Sequence, residues 1–303
     1  MSDQIKQLRY VIGVDGGGTG TRARVMRPDG EVLGSGRAGP SALGQGVEQA
    51  WRHISEAIEQ AFRSSDIDDW KPDDCAVGLG LSGAIVASQS REFLRAASGF
   101  EHLALANDSF TALLGAHAGK PGAIVIAGTG SIGEALLADG THVSIGGWGY
   151  PIGDEASGAW LGMQAMRQTQ KALDGRVPVG ALARAVQAVA GRRRDDVLAW
   201  CESAGQHAYA SLAPLVFDAE RGDPYAAELL TAAARAIDDI ALALDPKATL
   251  PLAVSGTIGQ RLQPRLAVAV RARLVAPAGD AVDGALHLIR ERLQRAESSS
   301  DGR

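Results

Sequence analysis

The sequence predicts a two-domain α/β protein built by internal duplication, and three observations carry that expectation. The chain has 303 residues, room for two ordinary domains, and 46% of them are apolar, enough for substantial cores. Five glycine-marked turns each follow a short apolar run: Asp15–Gly20, Leu81–Gly83, Ala127–Ser131, Gly146–Gly149 and Ser255–Gly259. One order of signals also occurs twice: apolar strand, Gly/Thr turn, strand, Asp-Gly turn, strand. The first copy runs from Val11 through Gly18-Thr19 to Asp29-Gly30, the second from Ala123 through Gly128-Thr129 to Asp139-Gly140.

The first turn is the most telling segment. An apolar strand, Tyr10–Val14, ends in Asp15, and four of the five residues from Gly16 to Gly20 have no side chain. Glycine permits close approach to backbone, and clustered N–H groups favour anions. A carboxylate beside an anion repels it unless a cation intervenes, so the pairing points to phosphate with Mg²⁺. The motif is no Walker loop, because it lacks the Lys, and no Rossmann fingerprint, because a strand follows the glycines. A glycine-rich hairpin without ligand is the alternative reading of this segment.

Further along, strands are expected at Thr21–Arg27 and Glu31–Arg37, and an amphipathic helix over Val47–Arg63. A strand at Ala76–Leu81 ends in Ser82-Gly83, and Ser90–Ala97 reads as a short helix. Leu103–Ala106 leads into Asn107-Asp108-Ser109. Asp108 is then either a rigidly held carboxylate or part of a helix N-cap. After Ala123–Ala127 and Glu134–Leu137 the pattern turns helical: Ala156–Leu173, Val179–Ala190, Pro224–Leu244, Gln260–Arg271 and Ala281–Leu293, with short strands at Leu252–Val254 and Leu274–Ala276. Asp154 and Glu155 are expected in the first turn of the helix from Ala156. Trp148 between two glycines suits either an apolar floor for a ligand ring or hinge packing. The run Arg192–Asp196 reads as a solvated loop and helix start, and Glu297–Arg303 as a frayed tail.

Composition excludes several classes. A net charge of −5 gives no nucleic-acid footprint. No uninterrupted apolar stretch reaches the length of a membrane span, and Met1–Gln7 has no apolar signal core, so a soluble cytoplasmic protein is expected. The two cysteines, Cys75 and Cys201, form neither a disulfide framework nor a four-cysteine cluster, and each is expected as a small buried hydrophobe. The six histidines show no HExxH pair.

Four segments in order, Val-Asp-Gly-Gly-Gly-Thr (14–19), Ala-Gly-Thr-Gly-Ser (127–131), Gly-Gly-Trp-Gly-Tyr-Pro-Ile-Gly-Asp-Glu (146–155) and Ser-Gly-Thr-Ile-Gly (255–259), resemble the BadF/BadG/BcrA/BcrD ATPase family. They are most similar to its N-acetylglucosamine/glucosamine kinase branch. The resemblance implies a duplicated ribonuclease H-like fold of the actin, sugar kinase and Hsp70 type with an interdomain cleft. It places the first domain at 1–115 and the second at 116–303, with a last helix, 281–296, packing back on the first.

It further implies ATP and Mg²⁺ as cofactors, an amino sugar as substrate, transfer to the sugar 6-hydroxyl, and frequent homodimers. Residue by residue, Asp15 would help hold Mg²⁺ through water. Gly16, Gly17, Gly18 and Thr19 would form one phosphate loop, and Gly128, Thr129, Gly130 and Ser131 the other, facing it. Ser255, Gly256 and Thr257 match the adenosine motif and Asp108 the catalytic base. Ser82, Gly83, Asn107, Asp108 and Asp154 would line the sugar, and Trp148 joins them as sugar-binding on the apolar-floor reading given above. Two rivals follow: an activator ATPase, which the cysteine pattern does not match, and a non-catalytic sugar-responsive regulator. The loop Gly39–Gly44 lacks the Asn-His-Trp of the animal enzymes, which leaves the 2-substituent of the sugar open.

Overall fold

The computed structural model describes residues 8–97 and 99–300. The expectations for Met1–Gln7 and for 301–303 lie outside them. The chain divides into two compact units: the residues up to Lys120 together with those from Ala276, and Pro121–Val275 between them. The expected division at 115/116 thus moves to 120/121. The helix before it runs to Ala116, and its closing turn extends to Gly119 N–H, which donates to Leu114 O at 2.8 Å.

The first unit opens with an antiparallel meander, β1 (Tyr10–Gly16), β2 (Thr21–Met26) and β3 (Val32–Ala38). Helix α1 (Val47–Arg63) follows with the bounds its periodicity predicts, burying Ala50, Ile54, Ala57, Ile58, Ala61 and Phe62. Then come β4 (Cys75–Leu81), α2 (Ala87–Arg95), β5 (His102–Ala106) and α3 (Asp108–Ala116). The sheet order is β3-β2-β1-β4-β5, with β1, β4 and β5 parallel. All seven residues of β4 are buried, as expected of a strand covered on both faces.

The second unit repeats the plan. Strands β6 (Gly122–Ala127), β7 (Ser131–Leu136) and β8 (His142–Gly146) form another antiparallel meander. A helical block follows: α4 (Gly158–Leu173), α5 (Ala181–Ala190), α6 (Arg194–Ser203), α7 (Gln206–Ala210), α8 (Ala213–Ala219) and α9 (Pro224–Leu244). Strand β9 (Leu252–Ser255) then pairs parallel to β6, giving the order β8-β7-β6-β9. The duplication reaches individual hydrogen bonds. Arg27 N–H donates to Glu31 O at 2.8 Å and Gly30 N–H to Arg27 O at 3.0 Å; Leu137 and Gly140 make the matching bonds at 2.9 and 3.0 Å. Asp29 and Asp139 each accept from the backbone N–H two residues on.

Several elements differ from expectation. Helix α4 begins at Gly158, not Ala156, because Ala156 has φ +67° and Ser157 Oγ caps the helix by accepting from Trp160 N–H at 3.1 Å. The single helix expected over Gln260–Arg271 is broken into α10 (Thr257–Leu262) and α11 (Val268–Arg271), with Pro264 in the break. The strand at Leu274–Ala276 is reduced to one bridge, Leu252 to Leu274. Helices α7 and α8 were unexpected, and α6 extends what read only as a helix start. Cys75 is fully buried as expected, but Cys201 is only half-buried.

The last helix, α12 (Ala281–Ser300), belongs to the first unit and continues well past Leu293, so residues 297–300 are helical rather than frayed. Its Val282, Ala285, Leu286 and Ile289 are buried, and Leu286 and Ile289 cluster with Val11, Ala76 and Ala104. The approach is close enough to need glycine. A Cβ on Gly78 would stand 1.9 Å from Ala285 O, one on Gly115 1.9 Å from Asp280 O, and one on Gly284 1.7 Å from Thr111 O.

Gly284→Ala is therefore expected to destabilise the protein by roughly 1–3 kcal/mol through overpacking. Gly222→Ala, whose Cβ would meet nothing within 4 Å, serves as control. Denaturant unfolding of both variants checks it.

Candidate active site

In the first unit the carboxyl ends of β1, β4 and β5 lie side by side, with Gly16 opposite Leu81 and Gly80 opposite Ala106. That register gathers Asp15, Gly16–Thr19, Ser82, Gly83, Asn107 and Asp108 along one sheet edge, where α/β sheets bind ligands.

The backbone of the first turn is held from one side. Ser82 N–H donates to Gly16 O at 2.9 Å, and Ser41 and Ala42 N–H both donate to Gly17 O at 3.1 and 3.2 Å. Gln45 Nε2 donates to Gly18 O at 3.2 Å. A trans peptide sets N–H opposite C=O, so restraining the carbonyls of Gly17 and Gly18 turns the N–H groups of Gly18 and Thr19 to the other side. Gly16 must be glycine: a Cβ there would stand 2.0 Å from Ser41 Oγ, which accepts the Thr21 hydroxyl at 2.7 Å.

Asp15 sits cross-strand from Arg22. Its Oδ2 accepts from Arg22 Nη2 at 2.7 Å and Nε at 3.1 Å, while Arg22 Nη1 reaches Asp280 Oδ2 at 3.1 Å. Burial pushes the Asp15 carboxyl above the ordinary aspartate value, and Arg22 pulls it back down. Asp108 is the first residue of α3, and its Oδ1 accepts from Ser109 N–H at 2.9 Å. The residue in the N-cap position is Asn107, whose Nδ2 donates to Ser109 Oγ at 2.6 Å. Gly83 adopts φ +90°, and Ser82 O accepts from Leu43 N–H at 2.9 Å.

The second unit shows the same device at Gly128–Ser131. Gly158 and Ala159 N–H, at the start of α4, donate to Gly128 O and Thr129 O at 2.8 and 3.2 Å. This turns the N–H groups of Thr129 and Gly130 away from α4. Ser131 Oγ donates to Glu155 O at 2.6 Å, and Ser131 N–H to Asp154 Oδ1 at 3.2 Å. Gln206 Nε2, from α7, donates to Asp154 Oδ2 at 2.8 Å.

Asp154 is only 4% exposed and has φ +65°. Burial raises its carboxyl above the ordinary range, while Ser131 N–H and Gln206 oppose the shift. It precedes α4 and braces the turn, so it is not the first-turn acid that the sequence suggested. Ser255 ends β9 beside Ile126, and Gly256, at φ +82°, lets Thr257 start α10; a Cβ there would stand 2.3 Å from Ala127 O. Trp148 is 84% exposed.

Arg22, Ser41, Gln45 and Gln206 escaped the sequence reading. Arg22 had a readable signal, being the polar residue opposite Asp15 in a tight hairpin. Gln206 had none, since α7 was itself unexpected.

The family model of the BadF/BadG/BcrA/BcrD ATPases matches residues 12–249. A Vibrio cholerae protein named glucosamine kinase GspK is 37% identical over 92% of this chain and 95% of its own length. A solved structure from Chromobacterium violaceum, provisionally named an N-acetylglucosamine kinase, is 49% identical, with TM-score 0.89 over 93% of this chain and 99% of its own. A ROK family glucokinase from Streptomyces griseus, solved with glucose and AMPPNP, shares the fold at TM-score 0.53 and 18% identity, covering 93% of this chain and 99% of its own.

The Asp15–Arg22 pair makes a pH-dependent prediction. Below the raised Asp15 value the carboxyl is neutral, and Arg22→Leu loses little there. As pH rises through that value, the variant must hold an unpaired, largely buried carboxylate. The stability gap from wild type therefore widens between about pH 3 and about pH 7, reaching on the order of 1 kcal/mol after solvent screening of the half-exposed guanidinium. Melting temperatures of both proteins across that range check it.

Proposed function

The chain belongs to the BadF/BadG/BcrA/BcrD ATPase family, and from that membership we propose that it is an ATP-dependent amino-sugar kinase, transferring the γ-phosphoryl group to the 6-hydroxyl of glucosamine or N-acetylglucosamine. The observation that carries this reading is the paired glycine turns. Each has two consecutive carbonyls restrained by a neighbouring segment, so that N–H groups are presented to an anion. Polyphosphate binding by Gly16–Thr19 and Gly128–Ser131 uses that arrangement directly. Ser255, Gly256 and Thr257 are assigned to the adenosine.

Among the described residues no group of three or more His, Cys, Asp or Glu forms a metal cage. Mg²⁺ keeps much of its water and takes few protein ligands beside phosphate oxygens. Asp15 fits the role: Oδ2 is held by Arg22, which leaves Oδ1 for a hydrated cation. When bound, Mg²⁺ would neutralise charge on the transferring phosphoryl group.

Asp108 is assigned as general base, accepting the proton of the attacking hydroxyl. Its Oδ1 is oriented by Ser109 N–H, and the start of α3 fixes its backbone. Ser82, Gly83 and Asn107 border it along the same edge and are assigned to the sugar. In the other unit, Asp154 and the exposed Trp148 are candidates for its hydroxyls and ring face. No helix among the described residues is long and apolar enough to cross a membrane. With ATP as donor, the cytoplasm is the compartment we assign to the working enzyme. The activator reading finds little support at Cys75, which is fully buried in the hydrophobic core of the first unit.

Asp108→Asn keeps an oxygen for Ser109 N–H but loses the base. It should lower kcat by about 10²- to 10⁴-fold on either sugar while leaving binding of a non-hydrolysable ATP analogue intact. Turnover near that of wild type would remove Asp108 from the mechanism. Side-by-side rates on glucosamine and N-acetylglucosamine identify the preferred substituent.

A further inference from the structure

Asp154 does more in this fold than face a ligand. Its buried carboxylate is gripped at both oxygens from within its own unit, by the backbone N–H of Ser131 at 3.2 Å and by Gln206 Nε2 at 2.8 Å. A Cβ on Gly130 would stand 3.0 Å from either carboxylate oxygen and 3.1 Å from Gln206 Nε2, so amide, acid and turn form one packed cluster. The residue also holds φ +65°, a conformation that costs energy for anything but glycine and persists only when its surroundings enforce it.

The surroundings here are few. Ser157 N–H donates to Asp154 O at 3.0 Å, Ser131 Oγ ties down Glu155 O, and Gln206 is the side chain that fixes the carboxylate. Gln206 opens α7, which packs on α4, and Tyr209 on the same helix lies 5.8 Å from the ring of Tyr150. One short helix thus steadies both the acid and the loop that leads to it.

We propose that Gln206 is a positioning residue for the second phosphate loop. It holds Asp154 on Ser131 N–H and thereby keeps the Thr129 and Gly130 N–H groups aimed at the nucleotide. The inference rests on the kinase reading, in which Gly128–Ser131 binds the phosphates of ATP. It makes Gln206 a determinant of nucleotide affinity, acting through an acid whose remaining lone pairs stay open to a sugar hydroxyl. No proton moves and no bond is made at Gln206; its work is done before the substrate arrives.

The test is calorimetric titration of the full chain with Mg²⁺ and a non-hydrolysable ATP analogue, without sugar. Gln206→Leu removes the donor. Gln206→Glu keeps the shape but sets a second carboxylate against Asp154, so it stays informative if the leucine variant does not fold. The expected result is a Kd raised roughly 5- to 20-fold for leucine and further for glutamate, a part of what losing one hydrogen bond to a charged group costs, because the effect reaches the nucleotide through Asp154. Amide exchange at Ser131 should quicken in both, and KM for ATP should rise more than kcat falls, a split that mere loss of folded protein does not give. Analogue binding within twofold of wild type in both variants, with Ser131 exchange unchanged, overturns the inference and leaves the kinase reading standing. Failure of the wild-type protein to bind the analogue overturns the kinase reading and this inference with it.

Discussion

Everything assigned to this chain depends on where the carbonyl groups of two glycine turns point. A turn rich in glycine is floppy by itself, and its polar backbone would satisfy itself with water in many ways. Here Ser41, Ala42, Gln45 and Ser82 hold the carbonyls of one turn, and Gly158 and Ala159 hold those of the other. Once the acceptors are committed to protein donors, planarity of the peptide leaves the donors no choice of side. On the proposed reading, anion binding is prepared without a single lysine or arginine in either turn. It is the backbone equivalent of a preorganised electrostatic site.

The two halves share a plan but differ in how each treats its acid. Asp15 and Asp154 both carry carboxyls raised by burial, and both are steadied by a side-chain donor. Arg22 gives Asp15 a full positive charge and ties it onward to Asp280, at the N-terminus of α12. Gln206 gives Asp154 only an amide, deeper in the fold. A charged partner compensates an anion strongly, whereas an amide holds it in place while leaving its charge largely uncancelled.

Much of this was legible from residue order. The alternation expected over Thr21–Arg27 holds to Met26, and the stripe in Val47–Arg63, the run Pro224–Leu244 and the matched Asp-Gly hairpins stand as expected, because each is a local pattern decided by local physics. The family motifs located the turns correctly. Less legible were features decided by distant partners. Nothing near Asp154 reveals that Gln206, some fifty positions away, will hold it. Ala156 carries no local sign of its φ of +67°, which delayed α4 by two residues. The alanine-rich stretch from 204 to 219 has too weak a stripe to separate two short helices from a loop.

The first unit is discontinuous: one sheet face of β1 and β4 is covered by α12, whose residues follow the whole of the second unit in the chain. A ribosome works from one end, so β1 to β5 emerge long before their cover does. Pro121–Val275 has all its own strands and core in hand first and can fold as an uninterrupted piece. In the interval the nascent sheet carries a bare stripe of Val11, Ala76 and Ala104 that some other surface, a chaperone or a neighbouring chain, is free to cover. Any fragment ending ahead of Ala281 would inherit that exposure permanently, however intact its glycine turns.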